Sequence, residues 1–211
     1  MSERTLVHLL RHGEVHNPDK VLYGRLDGFH LSERGRAMAQ VVADHLHGRD
    51  ITHLVSSPLI RAQETMAPLA ERLGLPVTLD ERVLEATNRF EGQQVSLANL
   101  LRPKNLAKMH NITKPSWGEP YVEIVERMSA AVDAARAAGT GHEAVIVSHQ
   151  LPIWMMRSAA EGRRLWHDPR SRECSLASVT TIAFDGREIA SVSYAEPARH
   201  LISDATASVG A

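Results

Sequence analysis

The chain has 211 residues and a mass of 23.3 kDa, enough for one domain, residues 1–211, with a sizeable hydrophobic core. Hydrophobic residues make up 43% and charged residues 23%, a globular balance that excludes disorder as the main state and excludes fibrous or low-complexity architecture. With 24 Lys plus Arg against 25 Asp plus Glu, the formal charge is -1, so no global basic field exists to hold nucleic acid.

A strand is predicted over residues 5–10, a short apolar run that stops at the polar segment Arg11-His12-Gly13-Glu14. A loop through Gly24 and Gly28 leads to Ser32, an N-cap for a helix to about residue 47 with an apolar stripe at Met38, Val41, Val42 and Leu46. A second strand is expected over 53–56. Pro58 opens a second helix that runs to Gly74, with Leu59, Ala62, Met66, Leu69, Ala70 and Leu73 at helical spacing. Residues 77–79 read as a short third strand. The pattern then weakens, and residues 88–120 read as an insertion or lid over the site, with a helix over 96–110 whose Arg102, Lys104 and Lys108 form a solvated basic face.

A long helix is predicted over 120–138 from Val122, Val125, Met128, Val132 and Ala135. The continuous apolar run of residues 144–148 fits a central strand covered on both faces, and a helix is expected from Pro152. Residues 178–184 and 189–194 flank Asp185-Gly186, a hairpin signal, and residues 195–211 read as a mobile tail. Strands alternating with helices imply an α/β fold: three layers, α/β/α, around a mostly parallel central sheet with an antiparallel edge. Ligands on such sheets bind beyond the carboxyl ends of the strands. The residues at those ends are Arg11 and His12, then Ser57 with Arg61, then Glu85, then His149.

Several signatures fail. Residues 139–144 match a dinucleotide-binding pattern but precede a strand, so Gly139 reads as a helix stop. His142-Glu143 has Ile146 where a zinc-protease motif needs histidine, and Thr180 stands where a cysteine-phosphatase loop around Cys174 needs arginine. His8, His12 and His16 lack carboxylate or cysteine partners at ligand spacing, so no metal site is expected. Cys174, the single cysteine, excludes an intrachain disulfide and reads as a buried thiol in a reducing compartment. The N-terminal segment has no secretory cleavage pattern, and the longest strongly apolar stretch, 151–156, falls far short of the roughly 20 residues that cross a bilayer. A cytoplasmic protein without membrane association is expected.

Arg11-His12-Gly13 resembles the opening signature of the histidine phosphatase superfamily, the phosphoglycerate mutase-like fold. Ser56-Ser57-Pro58-Leu59, Arg61-Ala62 and Glu64-Thr65 are similar to its S-S-x-L-x-R-A-x-x-T segment. Glu85 ahead of Phe90-Glu91-Gly92 resembles its acidic residue and W-E-G-like triplet, and Val147-Ser148-His149 its second histidine. Val15 stands where Thr or Ser is usual, Asn17 comes one residue early, Phe90 replaces Trp, and Gln150 replaces the glycine after the second histidine, an expected change in the pocket floor.

The resemblance implies a phosphatase without metal or cofactor, acting on a small phosphorylated metabolite. His12 is the expected nucleophile, Arg11 and Arg61 the phosphate clamp, a protonated His149 a further donor, and Glu85 the general acid and base. Asn17, Gly24 and Arg89 are expected to add phosphate or substrate contacts, and Arg163 and Arg164 are further candidates for a second acidic group. The other ten of the 12 histidines read mostly as surface residues. Two alternatives stay open: phosphoglycerate mutase-type transfer, disfavoured by the short chain, and a phosphate-binding regulatory module, motivated by Val15, Asn17 and Gln150. A homodimer is the expected default.

Overall fold

The computed structural model describes residues 4–94 and 118–202. Among them, ten main elements follow in order: β1 (Arg4–Arg11), α1 (Glu33–Leu46), β2 (Ile51–Ser56), α2 (Ile60–Leu73), β3 (Val77–Leu79), α3 (Tyr121–Ala138), β4 (Glu143–Ser148), α4 (Gln150–Ala160), β5 (Val179–Asp185) and β6 (Glu188–Ala195). The sheet order is β3-β2-β4-β1-β5-β6. Pairings β3-β2, β2-β4 and β4-β1 are parallel, whereas β5 runs antiparallel to β1 and β6 to β5. The α/β architecture is the one the alternation of elements implied.

Strand alternation divides the core into two layers. Val145 and Val147 of β4, with Leu10 of β1, pack on Met38, Val42 and Leu46 of α1 and Met66 and Leu69 of α2. Ala144 and Ile146, with Val7 and Leu9, pack on Ile124, Met128 and Val132 of α3 and Ile153 and Met155 of α4. A strand between two helical layers has no solvent face, which is why 144–148 is apolar throughout.

Local signals set several boundaries. The Ser32 hydroxyl caps α1 by accepting from the Gly35 N–H at 3.0 Å, and Gly74 ends α2 at φ +64°, a left-handed conformation suited to glycine. Other expectations are corrected. Strand β2 begins at Ile51, two residues before the predicted start, and α4 begins at Gln150. In α3 the packed stripe is Ile124, Met128, Ala131, Val132 and Ala135, while Val122 is 59% exposed, because hydrophobicity alone does not place the stripe's edge. The hairpin turn is Gly186-Arg187, since Asp185 already pairs with Glu188 across the ladder.

The tail expected from Ala195 is seated as far as Ile202. A short turn at Arg199–Leu201 follows buried Ala198, and Tyr194 and Ser175 both donate to Glu196. The described ends of the expected insertion meet through a bridge between Asn88 and Gly118; the helix expected over 96–110 lies outside the described residues.

His8, expected at the surface, is buried in β1. Its Nε2 donates to Glu143 at 2.7 Å and its Nδ1 pairs with the Thr181 hydroxyl at 2.8 Å; Arg49 also donates to Glu143, at 2.5 Å. Burial pushes the Glu143 carboxyl up, but the bonds and charges of His8 and Arg49 outweigh that and hold it at about 2. A carboxyl whose pKa is depressed on folding contributes stability above its unfolded value, lost as pH falls through the folded one. Glu143→Gln is therefore expected to lower the melting temperature clearly at pH 7, with the difference from wild type closing between roughly pH 4.5 and 2. A gap of constant size across that window in a calorimetric series contradicts the assignment.

Candidate active site

The carboxyl ends of the parallel strands bring distant residues together. Arg11 closes β1 beside Ser148 of β4. The His12 N–H then donates to the Ser148 carbonyl at 3.2 Å, and the Ser57 N–H to the Val147 carbonyl at 3.0 Å. His12, Ser57 and His149 are thus consecutive extensions of neighbouring strands.

The loop after β1 turns tightly against α1. A Cβ on Gly13 would lie 2.6 Å from the Gly35 carbonyl oxygen, and one on Gly35 would lie 2.0 Å from that of Glu14, so both positions must be glycine. The Gly13 N–H donates to Thr65 Oγ1 at 3.0 Å, and the Thr65 hydroxyl donates to the Arg61 carbonyl at 2.7 Å. One threonine therefore ties the His12 loop to the first turn of α2, which carries Arg61.

The chemistry lies in what each buried side chain holds and what it leaves. His12 is completely buried and its Nδ1–H donates to the Gly13 carbonyl at 2.8 Å, which leaves the Nε2 lone pair without a partner among the described residues. The Arg11 NH1 donates to the Cys174 carbonyl and the Arg61 NH2 to the Gly24 carbonyl, both at 2.6 Å; each keeps its buried Nε–H unpaired. Glu85 Oε1 accepts from the Ala86 N–H at 2.8 Å, and its buried Oε2 has no partner among the described residues. Among the described residues neither Arg11 nor Arg61 has a carboxylate within ion-pair distance.

Burial, then the positive charges of Arg61 and Arg11, push the His12 imidazole well below its ordinary value, so it is neutral. His149 was expected as a protonated donor; that is corrected. Burial first, then Arg61, hold it well below the ordinary imidazole range. Its Nδ1 accepts from Arg61 at 3.3 Å, so its Nε2–H donates to the Ser57 hydroxyl at 2.8 Å. The two imidazoles, 5.2 Å apart between ring centres, therefore carry their protons on different nitrogens. Burial raises the Glu85 carboxyl, and the Ala86 N–H and the charges of Arg61, Arg11 and Arg172 offset that only in part. A carboxyl so placed is suited to donating a proton near neutrality.

Residues that the sequence left unassigned frame these groups. Tyr23 is buried with its ring 4.8 Å from the Arg61 guanidinium carbon, a cation–π contact. Glu119 binds both Arg25 and Arg127, at 3.2 and 2.6 Å, while Arg25 donates to the Glu85 carbonyl and Arg127 to the Leu84 carbonyl. This clamp fixes the backbone that presents Glu85. No spacing rule points to it, because its members lie on three separated segments.

Other expected contacts fall elsewhere. The Asn17 side chain is taken up by Val21, accepting from its N–H at 3.0 Å and donating to its carbonyl at 2.8 Å. Gly24 acts through its carbonyl on Arg61, and a Cβ there would lie 2.2 Å from the Glu91 carboxyl. Arg89 is exposed in an outer pocket with Arg25, Glu91 and Glu123. Arg163 pairs with Glu161 at 2.9 Å, and Arg164 is exposed. Val15 bridges to Leu31 at the loop edge. Gln150, at the start of α4, donates to the Cys174 carbonyl at 3.5 Å, the oxygen that also holds Arg11. Cys174 itself is buried. Among the described residues no cluster of three metal-ligating side chains occurs.

The chain has known relatives. The model of the histidine phosphatase superfamily (branch 1) matches residues 7–197. The chain belongs to that superfamily. It is 53% identical over 200 residues to an uncharacterized protein of Mycobacterium tuberculosis, covering 94% of this chain and 99% of the relative. It is 31% identical over 184 residues to a probable phosphoglycerate mutase of Yersinia pestis, covering 82% and 83%. A solved mycobacterial glucosyl-3-phosphoglycerate phosphatase is similar with a TM-score of 0.71 and 26% identity, covering 91% and 96%. In a complex with inorganic phosphate the same phosphatase matches at a TM-score of 0.70 and 27% identity, covering 94% and 99%.

The four sequence blocks thus bring His12, Arg11, Arg61, Glu85 and His149 within electrostatic range of one another. Both imidazoles are expected to be neutral at pH 6.5, where an unperturbed imidazole is about half protonated, with His12 in the Nδ1–H and His149 in the Nε2–H form. Nitrogen-15 NMR of the side chains reads both; a midpoint at or above pH 6.5 for either ring contradicts the site.

Proposed function

We propose that the protein is a phosphomonoester hydrolase that works through a phosphohistidine on His12 and acts on a small phosphorylated metabolite. The observation that carries this reading is a set of unpartnered buried atoms on side chains within electrostatic range of one another: a lone pair on His12, N–H groups on Arg11 and Arg61, and a carboxyl oxygen on Glu85. Together they match a nucleophile, two donors to nonbridging oxygens and a proton source. A phosphate monoester repels anionic nucleophiles, and a neutral imidazole avoids that repulsion.

In the first step the His12 Nε2 lone pair attacks phosphorus as the ester P–O bond breaks, and Glu85 gives its proton to the departing alkoxide. In the second, Glu85 takes a proton from water as the oxygen attacks phosphorus and the P–N bond breaks, releasing phosphate. Arg11 and Arg61 offset the charge on the transferring group, and donors in such water-excluded sites each contribute about 3 to 4 kcal/mol of barrier lowering. The chemistry routes no step through a metal ion. The pairing of Arg61 with Gly24, Thr65 and Tyr23 supports its role as a fixed clamp. The single buried Cys174 supports a reducing compartment, and we place the protein in the cytoplasm.

A transferase reading, in which the phosphoryl group returns to the substrate, has support from the Yersinia relative's name. Rapid quench with a labelled phosphomonoester followed by denaturation is expected to leave acid-labile label on wild type and none on His12→Ala; label retained by that variant overturns the mechanism. Phosphate release that falls far behind rearranged phosphoester selects the transferase reading.

Glu85→Gln is expected to lose about 100- to 10,000-fold in kcat on alkyl phosphates. On an aryl phosphate, whose leaving group needs no proton, it still gives a burst of phenolate before slow turnover. Equal losses on both substrates remove Glu85 from the proton-transfer role. Arg61→Lys, which keeps the charge but not the two-pronged geometry, is expected to lose about 100- to 1000-fold in kcat/KM by steady-state assay.

A further inference from the structure

Arg11 is held in the site by a carbonyl that is itself gripped from behind. The Cys174 carbonyl accepts from Arg11 NH1 at 2.6 Å. The Ser175 N–H belongs to the same peptide unit and donates to the Tyr194 hydroxyl at 2.9 Å. A peptide unit is planar, and in its trans form the C=O and N–H point in opposite directions, so a partner on the N–H fixes where the carbonyl points. The Tyr194 hydroxyl in turn donates to Glu196 Oε1 at 2.8 Å, and the Ser175 hydroxyl donates to the same oxygen at 2.7 Å. Arg199 takes the other carboxylate oxygen at 3.0 Å.

The segment so gripped also holds the backbone of the site. The Arg11 N–H donates to the Ser178 carbonyl at 3.0 Å and the Ala177 N–H to the His12 carbonyl at 3.3 Å. Ala177 is completely buried at φ +53°, a conformation that an alanine keeps only where surrounding bonds hold it. Arg157 adds a further tie, donating to the Glu173 carbonyl at 3.2 Å with its guanidinium carbon 5.0 Å from the Tyr194 ring centre. Burial holds the Tyr194 phenol above its ordinary value, so it keeps the proton that it donates. Burial pushes the Glu196 carboxyl up, but its bonds to Ser175, Tyr194 and Arg199 outweigh that and hold it below the ordinary carboxylate range.

We propose that Glu196 is a positioning residue of the site, acting on Arg11 through Tyr194 and the peptide between Cys174 and Ser175. Guanidinium, peptide, phenol and carboxylate form one hydrogen-bonded chain in which every donor points toward Glu196, so each bond polarises the next. The carboxylate thereby strengthens the Cys174 carbonyl as an acceptor and steadies the guanidinium from a distance. A carboxylate in direct contact with Arg11 would occupy the donors that a phosphate needs, whereas one at the far end of the chain leaves them free. The role rests on the phosphatase reading for its catalytic value, but it is a property of oxyanion binding with its own test.

The experiment measures binding of inorganic phosphate by NMR titration, with Tyr194→Phe, Glu196→Gln and Glu196→Ala made in the wild-type chain and again in Arg11→Ala. In the wild-type chain, Tyr194→Phe and Glu196→Ala are expected to weaken phosphate about five- to tenfold, the size of one hydrogen bond. Glu196→Gln, whose amide oxygen still accepts but carries no charge, is expected to lose about two- to threefold. In Arg11→Ala the same changes are expected to cost less than about twofold each, because the group they position is gone. The nitrogen-15 resonances of the Arg11 terminal nitrogens, distinct in wild type where NH1 is held by Cys174, are expected to average in Tyr194→Phe. Where a variant binds too weakly to titrate, those resonances decide alone. Phosphate affinity unmoved by Tyr194→Phe and Glu196→Ala, equal losses in both backgrounds, or Arg11 resonances unchanged in Tyr194→Phe overturns the proposal; equal losses leave the cluster a structural role only.

Rapid-quench labelling of wild type separates this role from the phosphatase reading. Weakened phosphate binding that depends on Arg11, together with no phosphoenzyme on wild type, keeps the positioning role and removes the phosphatase reading. Phosphoenzyme on wild type, with phosphate affinity unmoved by Tyr194→Phe and Glu196→Ala, does the reverse.

Discussion

Two guanidinium groups, Arg11 and Arg61, buried with no carboxylate of the described residues within ion-pair distance, organise the candidate site. An unpaired buried charge is costly, and the surroundings must replace water by other means. Here backbone carbonyls do so, Cys174 for Arg11 and Gly24 for Arg61, with the Tyr23 ring beside the second. Because carbonyls and a ring face carry no net charge, the positive potential is left intact. That potential acts on everything near it. It reinforces burial in keeping His12 and His149 neutral, and it partly opposes the burial that raises Glu85.

The fold makes such a pocket possible by supplying rigidity from elements that need nothing from the site. Strands β1, β2 and β4 are held by parallel pairing and by helical layers on both faces, so the residues just past their ends are placed without needing contacts to one another. Thr65 and the Gly13–Gly35 contact then set the loop that carries His12. Glu85 lies where no regular element would hold it, and the Arg25–Glu119–Arg127 clamp takes that role. The carboxyl is positioned through its backbone, which leaves Oε2 unengaged.

Legibility followed the range of the interactions concerned. The Ser32 cap, the Gly74 stop and the apolar strand at 144–148 were readable because each depends on a few neighbouring residues. The bonds of the Asn17 side chain to Val21 were not legible, because a polar loop residue is taken up by whichever backbone lies nearest, and Val21 is four residues away. His8 was misread for a related reason: its partners Glu143 and Thr181 lie on the two strands that flank β1, and a polar residue in a strand reveals its burial only once those are paired. Val122 shows the same limit at a helix edge.

The alternation of strands and helices and the superfamily were legible in the sequence alone, and His12, Arg11, Arg61 and His149 were legible as candidates because each sits in a short motif at the end of a strand or the start of a helix. Only the tertiary structure decided which nitrogen of each imidazole carries the proton, that His149 is neutral and that Tyr23 frames Arg61. Protonation and pairing depend on burial and on partners tens of residues apart in the chain, and a local pattern of residue types carries neither quantity.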